Sequence, residues 1–183
     1  MKLPKIKILD ESNKKLRLKS NKVSFPLSVN DKKTIQDIQD YLKMSQIDKY
    51  SEKYDLRAGM GLAYIQLGIP KQIFIIVNEL EDGKFENYVI INPQIISTSE
   101  ELIYVGEGEG CLSINRDVEG IVPRSARITI KYNDIDGQSK TIRVREDLAV
   151  AFQHEIDHLN GILFIDKIDS KNPYKNIDNM REI

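Results

Sequence analysis

Apolar and polar positions change their period several times along the chain, and each change marks an element. From Asn30-Asp31 onward, Ile35, Ile38, Leu42 and Ile47 recur at close to helical spacing, which predicts an amphipathic helix. Asp48 to Arg57 is polar and charged and reads as a loop or a frayed helix end. Gln72-Ile-Phe-Ile-Ile-Val77 is an unbroken apolar run of strand length and reads as a buried strand. Asp82-Gly83 supplies a hairpin turn, and Phe85 to Ile91 the returning strand, which Asn92-Pro93 is expected to end. Further short strands are expected at Ile95-Ile96, Leu102 to Val105, Ile121 to Pro123, Arg127 to Tyr132 and Thr141 to Val144, with Asp136-Gly137 as a second hairpin turn.

The next element breaks the strand pattern. Leu148 to Phe152 is continuously apolar, and Ile156 and Leu159 extend it at helical spacing, so this helix belongs inside a core. Asp147 is the expected N-cap and Asn160-Gly161 the expected stop. Residues 1–30, basic and interrupted by Pro4 and Pro26, are expected to wrap the surface, and the polar tail from about residue 170 to be mobile. A helix, many short strands, then one central helix indicate an α+β fold, with short antiparallel sheets packed around that helix and one domain over 1–183.

Composition narrows the function classes. A net charge of -1 gives no electrostatic case for nucleic acid or an anionic membrane. The single cysteine excludes an internal disulfide and fits a reducing compartment. No apolar run approaches the roughly 20 residues of a membrane span, and the N-terminus lacks the apolar core of a signal peptide, so a cytoplasmic protein is expected.

The chemistry concentrates on the central helix. The chain has two histidines, His154 and His158, four apart and therefore on one helix face, able to share one metal ion. Glu155 between them is the proton acceptor that a metal-activated water needs. Imidazoles and a carboxylate in so apolar a helix are costly to bury unless a metal and hydrogen bonds satisfy them. The only thiol, Cys111, lies in Glu107-Gly-Glu-Gly-Cys-Leu-Ser113, a glycine-rich segment suited to a loop that approaches a metal. A Cys-His-His set leaves a fourth position for water, the layout of a catalytic metal. A His-Glu-x-x-His peptidase with Asp178 or Glu182 as third ligand is the alternative, and an inactive metal-binding homologue a second one.

Three motifs in this order resemble the peptide deformylase family: Gly59 to Gln66, Glu109-Gly-Cys-Leu-Ser113, and Gln153-His-Glu-Ile-Asp-His158. The likeness runs from about Ser45 to Asp166, and the segment containing Lys53-Tyr-Asp-Leu-Arg57 is similar to the longer type found among Gram-positive bacteria and mycoplasmas. Tyr64 and Ile65 depart from the Ala and Pro usual in the first motif. The resemblance implies removal of the formyl group from N-formyl-methionyl nascent peptides, met by a monomer near the ribosome exit, with release of formate. It implies one Fe2+ held by Cys111, His154 and His158, for which Zn2+, Ni2+ or Co2+ can substitute. Glu155 would act as general base and then acid on a metal-activated water. Gln66 and the Leu112 backbone N–H would stabilise the oxyanion. Gly61 and Gly110 would let the peptide lie close, while Met60, Val150 and Ala151 line a methionine pocket or simply pack in the core. Asp157 is expected either to support the ligands or to face solvent, and Arg124 or Arg127 to hold Glu109.

Overall fold

The structure, a computed structural model, describes residues 2–183. Its middle layer is a five-stranded antiparallel sheet ordered β1 (Gly61–Ala63), β2 (Ile73–Glu79), β3 (Phe85–Thr98), β6 (Arg127–Asn133) and β7 (Ser139–Arg145). A smaller sheet places β4 (Leu102–Tyr104) between β5 (Arg124–Ser125), antiparallel to it, and β8 (Arg181–Glu182), parallel to it.

Strand β2 explains its own sequence. Ile73, Ile75 and Val77 point to one face and pack with Ile35, Ile38 and Leu42 of helix α1 (Val29–Gln46). Phe74 and Ile76 point to the other and pack with Ala149, Phe152 and Leu159 of helix α3 (Glu146–Leu159). With a helix on each face, alternation disappears and the strand becomes continuously apolar. All five side chains are fully buried, each worth roughly 1.5–3 kcal/mol relative to exposure. Directly after α1 comes α2 (Asp48–Tyr54), a short helix where a loop or frayed end was expected. Ile47 is the C-cap of α1 and half-buried, not part of its buried stripe.

Four boundaries differ from the sequence expectation. Asn92-Pro93 does not end β3; it makes a bulge, with Asn92 at φ 51° and a register shift between Ile91 and Gln94. The Asn92 amide accepts from Val23 N–H (2.8 Å) and donates to Val23 O (2.9 Å), which fixes the bend. Ile121 to Pro123 is not a strand, because its apolar residues are buried by loop packing; the pairing falls on Arg124–Ser125. Helix α3 begins at Glu146 directly from β7, with Arg145 as N-cap and no side-chain capping bond, so Asp147 is not the cap. The tail expected to be mobile ends in β8, where Arg181 bridges Glu101 (3.0 Å) and Glu146 (2.8 Å) and Ile183 packs with Ile103, Ala126 and Val150.

The expected stop holds. Gly161 has φ 75°, Ile162 N–H bonds Asp157 O at 3.0 Å, and a Cβ on Gly161 would lie 2.5 Å from Arg17 O. The N-terminal segment runs over the outside, as expected, and ties down the motif-bearing segments. Leu9 N–H bonds Gln66 O, Glu11 N–H bonds Ser113 O, and Ser20 N–H bonds Leu159 O, each at 2.8 Å. Among the described residues no helix is long and apolar enough to cross a membrane.

Candidate active site

His154 and His158 project from the same face of α3 and meet Cys111 on the loop that follows β4. One donor atom from each lies within 4.8 Å of the others, and all three residues are buried. Cys111 Sγ is 3.3 Å from His158 Nε2. Bonds of about 2.3 Å to sulfur and 2.0–2.1 Å to nitrogen around a tetrahedral ion give a sulfur–nitrogen separation of about 3.5 Å, so the triangle has the right size for a metal. Neither Asp178 nor Glu182 joins it; Glu182 turns to Tyr104 Oη at 3.1 Å.

His154 is oriented from behind. Its Nδ1 lies 2.8 Å from Glu109 Oε2, leaving Nε2 to face the triangle. Arg124, not Arg127, holds that carboxylate, through Nε at 2.6 Å and Nη2 at 2.9 Å, and its Nη1 reaches Asp157 at 2.6 Å. Arg127 pairs with Glu101 instead. Asp157 is therefore a supporting partner rather than helix surface, and Lys167 completes the chain at 3.2 Å. The Arg124 side chain is 2% exposed; removing it would leave two carboxylates short of their cation, an injury of about 3–5 kcal/mol. Burial raises the Glu109 carboxyl, but hydrogen bonds from Arg124 and His154 win and hold it at about 2.

Burial lowers both histidines, and in His158, reinforced by the neighbouring charges of His154 and Arg124, it leaves the ring well below the ordinary value. In His154 burial is outweighed by Cys111 and Glu109, which push the ring well above it. Glu155 is 3% exposed and its Oε2 has no hydrogen-bond partner among the described residues. Burial pushes its carboxyl up to about 7, against the opposing pull of His154. Gly61 makes room for that carboxylate: a Cβ there would sit 2.5 Å from Glu155 Oε1. This is a tighter reason for glycine than approach of a peptide. Gly110 meets nothing within 4 Å and faces open space.

Gln66 sits in the 3-10 turn after β1 and is locked at both ends of its amide. Oε1 accepts Ala63 N–H at 2.8 Å, which turns Nε2 towards Ser113 Oγ (3.2 Å) and Cys111 Sγ (3.7 Å). Nothing among the described residues accepts from Leu112 N–H. Two residues that sequence reasoning missed hold the cysteine loop. Ser113 N–H points at Cys111 Sγ (3.4 Å), and the Arg57 guanidinium donates to Cys111 O and Ile114 O, both at 3.0 Å, and to Asn115 Oδ1. Ser113 belonged to a quoted motif; nothing in the spacing of Arg57 foretold its contacts.

Cys111 and His154 of the triangle, with Glu155 and Gln66, border one open cleft of about 310 Å³. Met60, Gly61, Gly110, Leu112, Val150 and Ala151 line it too, as does Val105, which the sequence did not single out. The donors fit a borderline-soft divalent ion, and the orphaned Glu155 oxygen gives that ion's vicinity a second polar group to serve. An α+β fold with one cysteine, two histidines and a buried glutamate gathered beside an open cleft defines a hydrolase of the metal-dependent His-Glu-x-x-His class.

The particular family follows from comparison. The polypeptide deformylase family model matches residues 5–174, and the chain belongs to that family. The match is wider than the stretch from Ser45 to Asp166 expected from motifs, taking in the N-terminal segment. A peptide deformylase of Oceanobacillus iheyensis is 47% identical over 96% of this chain and 96% of its own, and one of Staphylococcus epidermidis is 43% identical over 92% of each. Among solved structures, a plant peptide deformylase superposes with TM-score 0.76 at 27% identity, covering 96% of this chain and 86% of its own. The peptide deformylase of Thermus thermophilus gives TM-score 0.74 at 29% identity, covering 91% and 87%. One from Acinetobacter baumannii, solved with Met-Ala-Ser bound, gives TM-score 0.70 at 27% identity, covering 89% and 98%.

Proposed function

We propose that the chain, acting as one catalytic domain, hydrolyses the N-formyl group of N-formyl-methionyl nascent peptides and releases formate. The observation that carries this reading is the convergence of Cys111, His154 and His158, two of which, Cys111 and His154, border a cleft together with Glu155 and Gln66. Cys111 Sγ and the Nε2 atoms of His154 and His158 would hold a divalent ion, which would supply Lewis acidity to the water and the formyl carbonyl. The proposed resident ion is Fe2+, with Zn2+, Ni2+ or Co2+ able to take its place, since thiolate and imidazole do not choose among them.

The remaining work falls to the chain's own side chains. The Glu155 carboxylate takes a proton from the attacking water and returns it to the departing amine. Its high resting pKa suits both halves of that task. The Gln66 Nε2–H and the free Leu112 N–H are donors for the charge that develops on the formyl oxygen. Gln66 needs no reorientation for this, because Ala63 N–H already holds the other end of its amide. Met60, Val150 and Ala151 give the methionine side chain an apolar wall, and Gly110 leaves the cleft open for the peptide that follows. The enzyme works in the cytoplasm as a monomer near the ribosome exit, with no direct hold on nucleic acid or membrane.

The test is formate release from formyl-Met-Ala-Ser by anaerobically purified protein of measured metal content. Stoichiometric turnover is expected. Intact peptide at full metal occupancy sinks the reading.

A further inference from the structure

Two valines that border the cleft come from different elements, Val105 from the loop after β4 and Val150 from α3. Both belong to a small apolar cluster with Ile103 and Ala126, and Ile183 packs against that cluster without itself bordering the cleft. The segment that brings Ile183 there is β8, a polar two-residue strand to which the site gives no other role. Its grip falls on the two elements that supply the valines. Ile183 N–H bonds Tyr104 O at 3.0 Å, Gly106 N–H bonds Ile183 O at 3.3 Å, and a Cβ on Gly106 would collide with the Glu182 carboxylate. Arg181 meanwhile holds Glu146, the first residue of α3, at 2.8 Å, and Glu101, just before β4, at 3.0 Å. Glu182, a candidate ligand by sequence, is thus spent on the loop, where Tyr104 Oη also donates to it at 3.1 Å.

Strand β8 gives the fold little. It pairs with β4 through two residues, Arg181 and Glu182 are exposed, and ion pairs between exposed side chains contribute little. A strand so held can open locally while the rest stays folded. The metal donors do not depend on it either. Arg57 and Ser113 fix the cysteine loop, and Glu109 and Arg124 orient His154. What β8 does hold is Val105 against Val150. Resting on the proposed activity, in which Val150 helps to wall the methionine side chain, we propose that β8 is a positioning element: Ile183 sets how closely the two valines close on the substrate. An apolar contact of this kind is made equally in the ground state and the transition state, so its loss belongs in KM and not in kcat.

The experiment compares Ile183→Ala with the unaltered protein, both metal-loaded, on formyl-Met-Ala-Ser. KM should rise by about tenfold, the lower edge of what one methylene in an apolar pocket is worth, while kcat and metal content stay the same. Ile183→Val, which keeps the branched shape and loses one methyl, should lie close to the unaltered protein and supplies the test if Ile183→Ala does not fold. Ile38→Val removes a methyl from the α1 face of the large sheet, so it should lower Tm and leave KM alone. A rise in KM as large in Ile38→Val as in Ile183→Ala would make general loosening the cause, and the proposal falls. Loss of metal from Ile183→Ala would also overturn it, because β8 would then hold the triangle. Two readouts need no turnover: amide hydrogen exchange over residues 105–110, which should quicken in Ile183→Ala, and calorimetric binding of Met-Ala-Ser, which should weaken. If neither variant nor the unaltered protein releases formate, the activity falls while these two readouts still uphold the positioning. Unchanged exchange and unchanged binding, with formate released at an unchanged KM, would overturn the positioning and leave the activity standing.

Discussion

Glu155 and Cys111 belong to one cluster, yet removing them should do different damage. Glu155→Ala deletes the proton carrier and leaves the three donors, so metal should stay near one equivalent. Turnover should then fall by a factor on the order of 10²–10⁴, the usual worth of general acid–base help. Cys111→Ser puts a hydroxyl where a soft or borderline ion wants a thiolate, so elemental analysis should show metal lost along with activity. If Glu155→Ala loses its metal, or Cys111→Ser keeps both metal and rate, the roles are misassigned. These residues were legible because their information is local: i,i+4 spacing is helix geometry, and one thiol among glycines is conspicuous. The support behind them was not. That Arg124 rather than Arg127 takes Glu109 depends on where β5 pairs, which no spacing encodes. Tyr64 is similar, for its departure from the usual motif was plain but its purpose was hidden. It is fully buried and its hydroxyl donates to Asp31 O at 2.9 Å, tying the Gln66 turn to α1. Tyr64→Ala with Ile65→Pro should therefore cost about 3–5 kcal/mol of stability by emptying a core position. Metal content should be unchanged and activity only modestly altered at temperatures where the variant is folded; loss of metal would show that Tyr64 supports the site directly.

At the scale of elements, α1, β2 and α3 could be read because burial on one face or two writes itself into hydrophobic period. What could not be read were places where another segment supplies the missing partner. Asn92-Pro93 looks like a strand end until Val23 arrives to bond the asparagine, and α3 starts without a cap because β7 feeds straight into it. The start of α1 carries a testable electrostatic term. Ser28 Oγ accepts Asp31 N–H at 3.0 Å, and Lys71 Nζ grips both Asp31 oxygens at 2.7 and 2.8 Å. Burial raises the Asp31 carboxyl, but the bonds from Lys71 and Ser28 outweigh it and the net shift is down. A carboxyl lowered on folding adds stability that is fully present above its unfolded value, near 3.8, and is lost as pH falls through the folded one. Asp31→Asn should thus lower the urea midpoint at pH 6, and the gap to the unaltered protein should narrow as pH is taken below 3.8. A gap that stays constant down to pH 2 would mean that the ion pair with Lys71 contributes nothing.

Across the whole molecule, the site is where distant parts of the chain are brought together. Cys111 comes from a loop, the histidines from α3, and the N-terminal strap bonds both the Gln66 turn and Ser113. The tail also closes back on the fold through β8, where Arg181 pairs with Glu101 and Glu146 and Ile183 supplies the apolar contact. An ion that joins Cys111 to α3 should therefore be felt in global stability. Anything that binds the folded chain and not the unfolded one stabilises it by mass action, about 2.7 kcal/mol at a free concentration 100 times Kd. For a chain of 183 residues that amounts to a rise in Tm of about 5–11 °C, at roughly 2–4 °C per kcal/mol. Stripping the metal with a chelator should lower Tm by this order, and adding zinc back should restore it. The same titration on Cys111→Ser should show a much smaller rise, because one of three donors is lost. On Glu155→Ala it should show the full rise, since that carboxylate is not a ligand. If zinc raises Tm equally in Cys111→Ser and in the unaltered protein, the ion is being held somewhere other than the triangle of Cys111, His154 and His158.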